Sequence, residues 1–287
     1  MELQWPLILF TTLGAASAGV FATQGIYAIL GKGQKAQLPA LITSVVLLAV
    51  AGIAVFFHLQ HWERIFNGFG HLSSGITQEL IAIVVMVIVM VVYFAMLRRE
   101  EQAPKWAGVL AVVISAILVV VMGMSYMMAA RPAWDNALQI LSLLGYALAA
   151  GAGIFALLDA SAQEDAEFHG LYGLVGTIAN AVCTLGFIFM MSSAANSFTN
   201  VGNYFDPNHP TAPMSSATDY SPFSGDAMAF TVCAIILALA AVAFAVFGKQ
   251  SKKWTIAGAG AAVCALVGAA LLRAVFFACG GSVFMFY

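Results

Sequence analysis

Residues 56–80, FFHLQHWERIFNGFGHLSSGITQEL, gather three of the chain's five histidines (His58, His61 and His71) with Arg64 and Glu79. Carboxylates and imidazoles accept protons in general acid–base chemistry, and a neighbouring arginine tunes both electrostatically. Phe56, Phe57, Trp62, Phe66 and Phe69 add aromatic cover. This set suits a lipid-soluble ring with two hydroxyl or carbonyl oxygens, a quinol. Its oxidation releases electrons and protons together, and the phenolic protons are so weakly acidic that acceptors must stand ready. Glu79 is the expected acceptor of one proton, and His58 the group that bonds or takes the other. Arg64 and Arg273 are the candidate countercharges. Plainer explanations exist for two of these residues. A carboxylate in the first turn of a helix suits the helix dipole, and an arginine one turn from a helix end can snorkel to the interface.

Other histidine chemistry fits poorly. A transmembrane b-type haem needs axial histidines at membrane depth on facing helices. Only His58 falls inside an apolar run, at its outer end, while His61, His71, His169 and His209 fall in connections. His58 and His61, three residues apart, lack a third metal ligand. The four cysteines, Cys183, Cys233, Cys264 and Cys279, sit in apolar runs without paired spacing. Neither haem, nor a metal, nor an iron–sulfur cluster is expected in this chain.

The elements that must position these residues follow from composition. Hydrophobic residues make up 62% and charged residues 8% of the 287, with a mean hydropathy of +0.94. A water-soluble surface needs far more charge, so the chain reads as all-α and polytopic, one eight-helix membrane domain over residues 1–287. The apolar runs are 5–30, 38–59, 77–97, 105–129, 134–158, 170–193, 227–247 and 254–278. The first is too long for the core of a cleaved leader and reads as a retained helix. Small-residue runs in the first and last (Gly14–Gly19, Gly258–Ala262) point to close helix contacts.

Orientation comes from the basic residues. The connections after runs one, three, five and seven carry eight of the Lys and Arg residues, and the terminal side carries three. Both termini are therefore expected outside, with the basic connections in the cytoplasm and Glu79 at the outer face. The loop at about 192–226 also faces out. It is rich in aromatics, prolines and aspartates and has no Lys or Arg, which suits docking of a partner. Arg131 and Asp135 should share that face. The surroundings are membrane lipid; no nucleic-acid partner is expected, and the net charge of −2 singles out no other.

At these residues the sequence resembles the membrane anchor subunit of dimethyl sulfoxide reductase-type molybdoenzymes. HLQHWERIFN is similar to the anchor's His-Leu-x4-Arg-x2-Asn pattern at His58, Leu59, Arg64 and Asn67, and SGITQE to its Ser-x4-Glu element at Ser74 and Glu79. RPAWD resembles its Pro-x-Trp turn at Pro132 and Trp134, and LLRAVFF its closing helix with Arg273. The stretch Phe57–Glu79 departs from the family pattern in length, and His61, Trp62 and His71 stand outside its motif. The resemblance implies an anchor in the inner membrane of a prokaryote that binds menaquinol near the outer face. It would pass electrons to an iron–sulfur subunit and thence to a molybdopterin catalytic subunit outside. The implied quinol-binding set is His58, Arg64, Ser74, Glu79 and Arg273, with Glu79 and His58 handling protons and no haem in the chain.

Two readings compete. A secondary transporter or channel expects charged or helix-breaking residues near mid-membrane, and runs two to eight have almost none there. A purely structural anchor needs neither His58 nor Glu79.

Overall fold

The structure, a computed structural model, describes residues 4–58, 67, 70–100, 102–198, 203–204, 212–213 and 217–283. Among these, eight helices are long and apolar enough to cross a membrane. They are α1 (Trp5–Leu30), α2 (Gln37–Phe56), α3 (Gly75–Glu100), α4 (Lys105–Met124), α5 (Ala137–Leu158), α6 (Ala166–Ala194), α7 (Gly225–Ser251) and α8 (Trp254–Ala278). The chain is a multi-pass membrane protein. In the loop between α6 and α7, Asn203–Tyr204 pairs antiparallel with Ala212–Pro213, the one strand pair among the described residues.

Local chemistry sets several helix ends. Gly31 closes α1 in the left-handed conformation (φ 71°), and the Lys32 amide bonds back to the Tyr27 carbonyl at 2.9 Å. Asn136 opens α5 by accepting a hydrogen bond from the Leu138 amide at 2.8 Å.

Helices α1 and α5 form the centre. α1 packs against α2, α4 and α5, while α5 packs against α6 and α8; α3 leans on α4 and barely meets α2. The expected close contacts are present. A β-carbon on Gly19 would stand 2.0 Å from the Ala147 carbonyl oxygen, and one on Gly151 would stand 2.2 Å from that of Gly19. Only glycine lets α1 and α5 meet backbone to backbone. On the outside, α2, α3 and α7 expose Ile42, Ile53, Ile88, Val91, Ile236 and Leu239, a surface suited to lipid rather than water.

Two boundaries differ from expectation in ways that matter. The fourth run ends at Met124, not 129. Residues 125–135 instead form turns held by bonds such as Met127 to Met124 (3.0 Å) and Trp134 to Arg131 (2.8 Å). Tyr126, Met128, Ala133 and Trp134 pack on the end of α8, in one cluster with Phe276 and Phe277. Helix α6 starts at Ala166, four residues early, so His169 is a buried helical residue and not part of a connection. Ile8 shares the Trp134–Phe276 cluster, so the start of α1 and the end of α8 lie at the same end of the bundle.

Candidate functional site

Helix α3 begins at Gly75, where a β-carbon would meet that of Ser125 at 2.8 Å. The first turn of α3 therefore lies directly on the end of α4. Glu79, one turn further in, is buried with only 7% exposed. Its Oε1 lies 2.5 Å from the Ser125 hydroxyl, and that hydroxyl is also 3.0 Å from the Met122 carbonyl. One hydroxyl proton cannot serve both. An ionised Glu79 takes the Ser125 proton. A protonated Glu79 donates to Ser125 instead, and the Ser125 proton turns to Met122. The carboxyl thus gains or loses a proton with no heavy atom moving. Among the described residues no cation lies within ion-pair distance of it.

Tyr126 follows Ser125 and joins two sequence-predicted residues. Burial pushes its phenol well above its ordinary range; the Glu79 carboxylate adds to that rise, and the Arg273 guanidinium opposes it. The ring meets Trp134, Phe276 and Phe277 edge-on, with centroids 6.1, 5.8 and 6.0 Å away. Arg273 sits over the Phe276 ring at 5.0 Å. The phenol is a neutral hydroxyl that feels both the carboxyl and the guanidinium.

Arg273 does not snorkel. It is 2% exposed, and its Nη2 donates to the Ser142 hydroxyl at 3.3 Å. Its Nη1, the Gln139 amide group and the Thr12 hydroxyl have no hydrogen-bond partner among the described residues. A cavity of about 10 Å³ lined by Thr12, Ser142, Tyr146, Asn180 and Arg273 lies there, room for about one water. Arg273 faces this polar cell between α1, α5, α6 and α8, behind Tyr126, and shares no hydrogen bond with Glu79.

The other predicted residues are placed as follows. His58 lies exposed in the turn two residues past the end of α2, its amide bonded to the Val55 carbonyl at 3.0 Å, and it shares no hydrogen bond with Glu79. Ser74 is half-buried just ahead of α3 and accepts from the Gln78 amide at 3.0 Å through its carbonyl. Arg64, His61, Trp62, Phe66 and Phe69 lie outside the described residues. Phe56 and Phe57 are exposed. Among the described residues, Tyr126, Trp134, Phe276 and Phe277 form the aromatic cluster on the Glu79 side.

The 125–136 connection is fixed over this site. Arg131 donates to the Gly280 carbonyl and lies 4.5 Å over the Trp134 ring. Trp134 stacks on Phe276 at 4.7 Å and donates through Nε1 to the Phe276 carbonyl at 2.8 Å. Ser125, Tyr126, Ser142 and Tyr146 went unnoticed in the sequence. A signal existed for the last two: Gln139, Ser142 and Tyr146 recur every three to four residues and so share one face of an otherwise apolar helix.

With this geometry in view, residues 1–279 match the family described as DMSO reductase anchor subunit (DmsC). The chain belongs to that family. The DmsC match spans the site residues from Thr12 to Phe277, and it makes the chain the membrane anchor subunit of a DMSO reductase-type complex. No curated protein sequence matches closely enough to count as a relative. Among solved structures, the bd oxidase from Geobacillus thermodenitrificans aligns with a TM-score of 0.46 and 12% identity, over 98% of this chain and 86% of that one. No inference about this DmsC-family chain follows from so loose a likeness. Among the described residues no group of three or more His, Cys, Asp or Glu is placed to hold a metal ion.

Proposed function

We propose that this anchor subunit binds and oxidises a quinol, menaquinol by family resemblance, at the bundle end that carries Glu79. The reaction is quinol to quinone with two electrons and two protons released. The electrons pass to an iron–sulfur subunit docked on this face, and from it to a molybdopterin catalytic subunit. The excess of basic residues on the opposite connections supports an outward-facing site, with proton release outside the inner membrane of a prokaryote.

The observation that carries the reading is the Glu79–Ser125 contact at 2.5 Å. It is a buried carboxyl with a toggling hydroxyl and, among the described residues, no cation within ion-pair distance, ready to accept a phenolic proton. Tyr126 stays neutral and can bond a ring oxygen, while Arg273, one layer behind, compensates the charge left as the proton arrives. His58 and Ser74 flank the approach from the α2–α3 connection, and Arg64 falls in that same connection. An apolar crevice of about 500 Å³ between α2 and α3, lined by Leu48, Ile83, Val87 and Met90 among others, begins one turn below Glu79. It gives a lipid-soluble substrate an apolar approach from the bilayer.

The test is to follow oxidation of a reduced menaquinol analogue by the assembled complex in wild type and in Glu79→Gln. The expected outcome is loss of quinol oxidation with assembly intact, while artificial donors that reduce the partner directly still support turnover. Wild-type rates in Glu79→Gln would leave a purely structural anchor.

A further inference from the structure

The bundle end opposite Glu79 holds a second polar cluster that quinol oxidation does not use. Tyr27, in the last turn of α1, has its hydroxyl 2.5 Å from His169 Nδ1. On the other edge of the imidazole, His169 Nε2 stands 3.2 Å from an oxygen of Asp159, the C-terminal cap of α5. Both ionisable side chains are fully buried. Ionisable groups at such a position are costly, and they recur where protons or ions are handled.

We propose that Tyr27, His169 and Asp159 form a proton-binding site open to the compartment opposite Glu79, and that it acts as a pH-sensitive latch between α1, α6 and the α5–α6 connection.

Proton counting supports this. With a neutral imidazole, Tyr27 donates to Nδ1 and the Nε2 proton faces Asp159. With an imidazolium, Nδ1 donates to the Tyr27 oxygen and the phenolic hydrogen turns away. One proton is added without displacing a heavy atom, and a lone buried carboxylate becomes half of an ion pair.

A path for that proton is present. Asp159 lines a cleft of about 410 Å³ with Lys32, Gln34, Lys35 and Asp165, and neither Asp159 oxygen has a well-aimed hydrogen bond. Gly33, at φ 62°, roofs the cleft: its amide donates to Asp165 at 2.8 Å, and a β-carbon there would strike Phe155 and Tyr27 at 2.6 and 2.9 Å.

The neighbouring charges leave the sign clear. Asp165 is occupied by Lys32 at 3.0 Å. Tyr172, on α6 itself, bonds Thr23 of α1 at 3.1 Å. From α7 the Lys249 stem packs against Gly170, and α8 presents Trp254, edge-on to the imidazole at 5.6 Å. Asp159 is thus the charge His169 meets directly, so an added proton on the imidazole tightens the latch and its removal by alkali loosens it. The Gly19–Gly151 crossing lies between this cluster and the Glu79 end, which makes the site local and not a route through the bundle.

The test uses the full-length protein in lipid nanodiscs with ¹⁵N-labelled histidine, the His169 signal being assigned through His169→Gln. The expected result is an imidazole shift that moves with pH in wild type and moves over a different range in Asp159→Asn. Thermal unfolding should show a melting temperature that rises as pH falls from 8 toward 6, and a rise that is absent in His169→Gln and Asp159→Asn. A His169 signal fixed across the range overturns the proposal, and wild type alone decides that point if the variants do not fold. A wild-type pH dependence retained in His169→Gln overturns the latch.

Discussion

The two ends of this bundle treat acid and base in opposite ways. At one end Asp159 and His169 touch, both fully buried, beneath a glycine-roofed connection. At the other, Glu79 and Arg273 share no hydrogen bond; hydroxyl groups stand between them, and each carries at least one hydrogen bond to a neutral partner. An acid in contact with a base settles its proton locally. An acid held by a serine hydroxyl leaves its proton available to a third party. The contrast underlies the two proposals, a proton-shedding substrate at the Glu79 end and a latch at the His169 end.

Breaking the contrast outright has the largest expected effect. Glu79→Gln should cut quinol oxidation by roughly 10²–10⁴-fold, the usual weight of a general base, while Asp159→Asn leaves it near wild type; steady-state oxidation of a quinol analogue reads both. Making the ends alike comes next. Ser125→His would give Glu79 the kind of partner Asp159 has, and a new charge-assisted bond of ~1.5 kcal/mol or more should slow quinol oxidation by about tenfold or more. Ser125→Ala takes away one hydrogen bond of about 1 kcal/mol and should lower the same rate about fivefold. Smallest is Lys32→Ala. Lys32 is 38% exposed, so its pair with Asp165 is screened by solvent. Its loss should cost no more than about 1 kcal/mol, seen as a slight drop in melting temperature.

Much of the fold was legible because a membrane helix announces itself by length and apolarity. All eight runs correspond to helices, and Glu79 stands out as a carboxyl among valines and isoleucines. Hydropathy also explains the error at α4: Tyr126, Met127, Met128 and Ala129 look like more span, yet the chain turns at Ser125 and packs Tyr126 and Met128 on the end of α8. Nothing in the acidic stretch after α5 shows in the sequence that Asp159 and Asp165 are buried, where His169 and Lys32 receive them. Partners 46 residues apart, such as Ser125 and Glu79, leave no local pattern to read. Arg273 looked like a snorkelling arginine since nothing nearby in sequence shows that Ser142, 131 residues earlier, faces it.

The clamp of Arg131 and Trp134 on Phe276 and Gly280 bears on how the subunit is made. Chains emerge from the ribosome N-terminus first, so Glu79 and Ser125 enter the bilayer long before α8 exists. Until the final helix is inserted, the lid over the carboxyl has nothing to fasten to. A nascent chain therefore carries Glu79 and Ser125 without the cover that Trp134 and Phe276 give them, and that cover is complete only once α8 is in place.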